Sequence, residues 1–330
     1  MSLDAMVGFS VNLEQIIQIV GDWDTRKPLA VAPHLAASGT SFNVALALAR
    51  AGLEVKLLGT VGENDPYAGT LEHLISRTGL DPMFFPIREA TPITFSLIIP
   101  ENQVADPHLR QKLMRCKPQF RNHGAVEQAQ EQIGRQSELC KPRIVVATGV
   151  RSDDVPLVKA LFESSAKREG VYRVLAPSIE LLADDPQGFR ELSGLYDLLA
   201  LNNYEAGELL TVPEGSEDRF SGLLEWAPEV LVTCNSHGAW YFKRNPRVPH
   251  RQWALHQDPY SVAKVVDETG AGDCFLGYFL SCRTGNIEDC LRLAAAAAAL
   301  KVTRLGGSNM PTREEVASFL ATHPTHRVTA

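Results

Sequence analysis

The sequence predicts an α/β fold built on a parallel sheet, and three observations carry that reading. Short β-branched and aliphatic runs alternate with helix-length periodic segments along most of the 330 residues, the pattern that builds βαβ units. Glycine-marked turns separate them, as at Thr148-Gly149 and Gly170. The polar residues capable of chemistry fall just after strand-like runs, where parallel sheets hold their ligands.

Bulk properties, with 45% hydrophobic and 22% charged residues, fit one large domain covering residues 1–330 or two small ones. A formal net charge of -7 argues against nucleic acid as a partner, because neutralising phosphates needs a basic face. The one basic stretch, His108 to His123 with Arg110, Lys112, Arg115, Lys117 and Arg121, reads as a solvated helix face; the alternative is a clamp for a phosphorylated substrate or a subunit contact. No apolar run approaches the roughly 18 residues of a membrane span, and Met1-Ser2-Leu3-Asp4 lacks a basic leader. A cytoplasmic location without a membrane partner is expected. Cys116, Cys140, Cys234, Cys274, Cys282 and Cys290 form no C-x-x-C pair, which favours thiols over zinc or disulfides.

In chain order, Ala5 to Val11 reads as a strand, and Ile16 to Val20 with Leu29 to Val31 as a hairpin inserted before the first helix. A polar loop from Ala37 enters an Ala/Leu helix that stops at Gly52. Val55 to Val61 is a strand, Asp65-Pro66 opens a helix closing at Gly79, and Ile93 to Ile99 is another strand. A Gln-rich helix lies near Val126 to Gln136. Strand Ile144 to Ala147, helix Val155 to Glu169 and strand Val171 to Leu175 follow, then strand Tyr196 to Leu201 leading into Asn202-Asn203-Tyr204-Glu205. Val230 to Thr233 and Ala239 to Phe242 bracket a turn. Trp240, Tyr241 and Phe242 are successive strand residues facing opposite ways, so they read as core. Ala263 to Val266 reads as a strand running through a glycine turn into the helix that begins near Cys274 and closes at Gly285. Glu288-Asp289 open an alanine-rich helix to Leu300, and Thr312 to Glu315 is a capping box.

The strongest chemical signal is the turn Gly270-Ala271-Gly272 and the Asp273 that follows. Backbone N–H groups at a helix N-terminus hold an anion, aided by the helix dipole. A carboxylate in the first turn beside that anion is placed to take a proton from an attacking hydroxyl. The plainer reading is a cap and a turn.

The full string Asp267-Glu268-Thr269-Gly270-Ala271-Gly272-Asp273 resembles the D-T-x-G-A-G-D signature of the ribokinase-like (PfkB-type) carbohydrate kinases, with Glu268 where that family usually has Thr. The resemblance implies a ribokinase-like α/β fold, a three-layer sandwich with a mainly parallel central sheet and a small β-sheet lid, the lid contributed by about residues 12–36 and 90–105. It implies an ATP-dependent kinase that moves the γ-phosphate to a hydroxyl of a sugar or sugar derivative. Asp273 would be the catalytic base, and Gly270, Ala271 and Gly272 the anion hole.

Other positions extend the likeness. Asn12 and Glu14 stand where the family has a sugar-binding N-x-D. Gly39, Thr40 and Asn43 resemble its first signature, with Ser38 for the first glycine and Thr40 where ribokinases carry Lys. Asn202 and Glu205 fit the N-x-x-E that holds Mg2+ and its waters; helix capping by Asn203, with Glu205 exposed, is the equal alternative. Thr233, Asn235 and Gly238 resemble the nucleotide border V-T-x-G-x-x-G-A, with Asn235 for its first glycine. Ala295 falls where an Asn or His often lies near the adenine. Asp267, Thr269, Gly306 and Ser308 resemble a monovalent-cation site, for which K+ is the candidate. The implied partner is a small sugar or nucleoside, and the apolar lid face suits a homodimer. The alternatives are a nucleoside kinase of the same fold and a catalytically silent sugar- or nucleotide-binding regulator. A P-loop kinase is excluded by the absence of G-x-x-x-x-G-K-[ST].

Overall fold

Two sheets organise the chain, whose computed structural model describes residues 3–19, 31–87, 90–98, 126–210, 219–245, 252–323 and 328–329. The strands are β1 (Ala5–Phe9), β2 (Asn12–Ile19), β3 (Val31–Ser38), β4 (Val55–Gly62), β5 (Asp81–Ile87), β6 (Ile93–Ile98), β7 (Ile144–Val150), β8 (Tyr172–Pro177), β9 (Leu198–Asn202), β10 (Glu229–Thr233), β11 (Ala239–Arg244), β12 (Gln252–Gln257) and β13 (Val328–Thr329). The helices are α1 (Thr40–Arg50), α2 (Pro66–Ser76), α3 (Val126–Cys140), α4 (Val155–Ala166), α5 (Ile179–Asp184), α6 (Pro186–Glu191), α7 (Asn203–Leu209), α8 (Ala271–Ser281), α9 (Ile287–Lys301) and α10 (Arg313–Thr322).

The large sheet has the order β13-β12-β11-β10-β9-β8-β7-β1-β4-β5. Its pairs from β5 through β10 are parallel, and β11 to β13 add on antiparallel. The order reverses at β1, which pairs with β4 on one side and β7 on the other. Such a switch point opens a crevice at the carboxyl ends of the strands.

Alternation along each strand makes two cores, one per face. Val7, Val146, Val174, Leu198 and Leu231 join the cluster built with α1, α8 and α9. Their strand neighbours Met6, Val145, Leu175, Leu199 and Val230 join a second cluster with α3, α4, α6 and α7. The result is helix, sheet, helix, the three layers that the family resemblance implies.

The small sheet has the order β3-β2-β6. β2 runs antiparallel to β3 and parallel to β6. The expected lid segments meet in this sheet, although residues 20–30 and 99–105 of those segments lie outside the described residues, as does the basic stretch 108–123.

Three local readings are corrected. Ala263 to Val266 form no strand; the N–H groups of Val266 and Asp267 instead donate to the Val302 carbonyl at the end of α9 (2.7 and 3.1 Å). Val265 and Val266 remain 52% and 47% exposed, so β-propensity there had no ladder to join. Thr148-Gly149 is not a turn but the end of β7, with a register shift between Thr148 and Val150. β5 was missed because Pro82 and Pro86 discourage a strand reading, yet it is the last strand of the sheet, where proline is tolerated.

At the amino ends of β8 to β10, Glu229 is buried and accepts from Tyr172 (2.5 Å), Arg283 (2.6 Å) and Lys243 (2.9 Å). Burial works to raise its pKa, but these donors hold the carboxyl below its usual value. Glu229→Ala strands a mostly covered Arg283, and an unfolding titration is expected to show a loss of about 3 kcal/mol.

Candidate active site

The crevice at the switch point is lined by backbone ends that the sequence leaves polar. Ser10, after β1, donates its N–H to Ser41 Oγ (2.9 Å). Ser41 Oγ lies 2.9 Å from Thr148 Oγ1 at the end of β7, and Thr148 Oγ1 donates to Thr40 Oγ1 (3.3 Å). This hydroxyl cluster seats the N-terminus of α1 against both strands. Ser10, Ser41 and Thr148 were missed in the sequence, because isolated hydroxyl residues in turns carry no periodic signal. Gly39 is the N-cap of α1, at φ 110°.

Asn43, in the first turn of α1, is buried and donates from Nδ2 to Asp273 Oδ2 at 2.8 Å, across 230 residues. Its Oδ1 is buried without a hydrogen-bond partner among the described residues. The approach depends on the next turn of both helices. A Cβ built on Gly277 would lie 2.5 Å from the Ala47 Cβ, and each of these residues sits four positions beyond the hydrogen-bonded pair. Only glycine lets α1 and α8 come this close.

α8 begins at Gly270, in the left-handed conformation at φ 78°. A Cβ there would meet the Gly307 carbonyl oxygen at 2.3 Å, so the 306–308 loop packs directly on the turn. Of the three amides expected to form an anion hole, that of Ala271 donates to the Glu268 carbonyl (3.1 Å). The tight turn that ends in Gly270 consumes it. Gly272 and Asp273 are the next positions of the first turn, whose N–H groups have no preceding helical carbonyl. Gly272 is exposed, Asp273 is half-buried, and the Thr233 hydroxyl at the end of β10 is 3.8 Å from where a Gly272 Cβ would stand.

Asn202, at the end of β9, caps α7: its Oδ1 accepts from the N–H groups of Tyr204 and Glu205 (both 2.9 Å), and Glu205 Oε2 accepts from the Asn202 N–H (2.8 Å). The capping alternative is thus realised, by Asn202 rather than Asn203. It does not exhaust Glu205. Burial pushes this carboxyl up to about 7, the Asn202 N–H works against that, and the charges of Asp273 and Glu180 push the same way as burial. Two mutually repelling carboxylates at one crevice are a place where a cation is stabilised. Among the described residues no three His, Cys, Asp or Glu converge on a metal position. An Asn-Glu pair suits an ion that keeps most of its waters, as Mg2+ does.

The remaining expected residues are spread around this centre. Asn12 donates to Thr94 Oγ1 (2.9 Å) and pairs with Ser38, while Glu14, two residues on and therefore on the same face, pairs with Ala36 and Thr94. Both stand on the small sheet next to Gly39 and Thr40. Asn235 is exposed at φ 50°, a left-handed position that asparagine tolerates better than most residues, which accounts for its standing where glycine was expected. Its Nδ2 donates to Asn203 Oδ1 (3.4 Å). Gly238 packs on the Gln257 carbonyl. Ala295 is 6% exposed within the core on α9, so it presents almost no surface to a base.

Asp267 ties the two loops beside α8 together. Its Oδ1 accepts from the Thr269 N–H and its Oδ2 from the Gly306 N–H (both 2.9 Å), while its carbonyl accepts from Lys301 Nζ (3.1 Å). Burial works to raise this carboxyl, but the Thr269 and Gly306 amides and the Lys301 charge hold it below its usual value. Ser308 follows on the same loop. Lys301 is fully buried. It was passed over in the sequence because a lysine ending a helix reads as a complement to the dipole.

Residues 17–313 match the family described as "pfkB family carbohydrate kinase". The chain is 32% identical over 138 residues to a ribokinase of Arabidopsis thaliana, a match spanning 39% of this chain and only 35% of that protein. It is 27% identical over 288 residues to an ATP-dependent ribose-1-phosphate kinase of Halopiger xanaduensis, covering 86% of each. A solved structure of a putative ribokinase II from Escherichia coli in complex with ATP and Mg2+ superposes with a TM-score of 0.74 at 22% identity, over 98% of this chain and all of that one. No helix among the described residues is long and apolar enough to cross a membrane.

Gly277→Ala forces α1 and α8 apart, and a loss of about 1 to 3 kcal/mol is expected in chemical denaturation, as for other overpacked contacts. The Glu205 carboxyl binds its proton more tightly in the folded state. Its contribution therefore favours the fold at low pH and is lost as pH rises from near 4.5 through about 7. Glu205→Gln removes that dependence, so its stability relative to the parent protein is expected to rise across the same interval, read from urea titrations at several pH values.

Proposed function

The chain belongs to the pfkB family of carbohydrate kinases, and we propose that it transfers the γ-phosphate of ATP to a hydroxyl of a sugar or sugar derivative, with Asp273 as the base. The observation that carries this reading is the 2.8 Å bond between Asn43 and Asp273. It joins the first and last signatures of the chain at the carboxyl end of the sheet, beside the N-terminus of α8. The Halopiger relative, named for a phosphorylated pentose, supports a sugar derivative as acceptor.

The acceptor enters between the small sheet and α1, meeting Asn12, Glu14, Gly39 and Thr40. Asn43 holds the Asp273 carboxylate by one oxygen, and the carboxylate takes the hydroxyl proton as the acceptor oxygen attacks phosphorus. The positive end of α8, with the Gly270 and Gly272 amides and the Thr233 hydroxyl, faces the charge on the transferred group. Asn235 and Gly238 border the nucleotide. Asn202 and Glu205 would hold Mg2+ and its waters; bound there, the ion supplies neutralising charge to the phosphates. The protein is a cytoplasmic enzyme, and a second copy pairs with it through the small sheet.

The test is ADP formation with Mg2+ across pentoses, hexoses, sugar 1-phosphates and nucleosides, with Asp273→Asn run alongside. Acceptor-dependent turnover with a sugar or its phosphate is expected, falling about 10² to 10⁴-fold in the variant with little change in acceptor KM. Turnover confined to nucleosides would move the substrate to that class. Binding without turnover would make the protein a regulator, and near-normal turnover in Asp273→Asn would remove the base from its role.

A further inference from the structure

The loop pair Asp267–Thr269 and Gly306–Ser308 was expected to hold a monovalent cation, and the donors found there do not fit one. Both carboxylate oxygens of Asp267 already accept backbone N–H groups. Its carbonyl oxygen accepts from the ammonium of Lys301. That ammonium is fully buried at the end of α9. A bare ion added at this carbonyl would meet a positive charge within one shell.

We propose that Lys301 is a built-in cation for the anion-binding turn, so that the enzyme needs no added monovalent ion. The argument runs through the backbone. Lys301 Nζ fixes the Asp267 carbonyl (3.1 Å), Asp267 fixes Thr269 and Gly306, and Gly270 rests on the Gly307 carbonyl. The turn that aims the α8 amides is thereby tied to one ammonium. Burial pushes the Lys301 ammonium below its usual value, and the charges of Asp267 and Asp273 work against that by favouring its protonated form. A lysine kept in so covered a place is compensated by acidic neighbours and a carbonyl, as a bound ion would be. Lys301 is a positioning residue: it touches the loop that shapes the site, not the substrate.

This inference rests on the kinase reading, and its test keeps the two apart. The parent protein is measured in potassium chloride and in tetramethylammonium chloride at equal ionic strength, by initial rate and by thermal midpoint. Rates within about twofold and equal midpoints are expected. A tenfold higher rate, or a raised midpoint, in potassium would overturn the role of Lys301 while leaving the kinase intact. If no acceptor turns over in either salt, the kinase reading fails, and the midpoint comparison still decides on Lys301.

Lys301→Met keeps the length and removes the charge; turnover in tetramethylammonium is expected to fall roughly tenfold or more, with acceptor KM held within about twofold. Lys301→Ala opens the space, and potassium or methylammonium is expected to restore part of its rate and midpoint. A Lys301→Met enzyme as fast as its parent, or a folded Lys301→Ala enzyme blind to added cations, would overturn the proposal.

Discussion

The site depends on how closely two helices approach. α1 and α8 come from opposite ends of the chain, and each begins at the crevice where the strand order reverses. Gly277 against Ala47 sets their separation, and one turn nearer the crevice that separation becomes the Asn43 to Asp273 hydrogen bond. Because packed interiors leave few voids, a single added methyl at Gly277 acts on a polar contact one helical turn away. Stability and geometry are thus coupled through a contact that has no chemistry of its own.

Charge is balanced around the same crevice by backbone as much as by side chains. α1, α7 and α8 all start there, so their positive ends converge on one volume. Against that field stand Asp273, Glu205 and Asp267. The three acids are treated differently. Asp267 is saturated by two amides and by the charge of a buried lysine, which makes it structural. Glu205 accepts from the Asn202 amide and is pushed toward neutrality by burial. Asp273 is half-buried beside Asn43, within reach of a ligand.

Legibility in the sequence followed how local each cause was. The βαβ alternation, the caps at Asp65 and Thr312 and the glycine turn before α8 were readable because a few neighbouring residues produce them. The strand read at Ala263 to Val266 failed for the opposite reason: β-propensity is realised only where a partner strand exists, and there the backbone bonds to the end of α9. β5 was hidden by its prolines, which matter only in the interior of a sheet. The hydroxyl cluster of Ser10, Ser41 and Thr148 comes from three separate segments, so no window of sequence contains it.

By itself the sequence determined the alternation of strand and helix and the order of the motifs, because period, turn residues and a glycine-bounded helix start are local properties. Tertiary structure alone decided which of those residues meet. It spent the Ala271 amide on a turn, took the faces of Ala295 into the core, made Asn202 a cap and brought Lys301 to the Asp267 carbonyl. The physical reason is that burial, hydrogen-bond partners and charge all depend on distances between segments far apart in the chain, and those distances exist only once both faces of the sheet are packed.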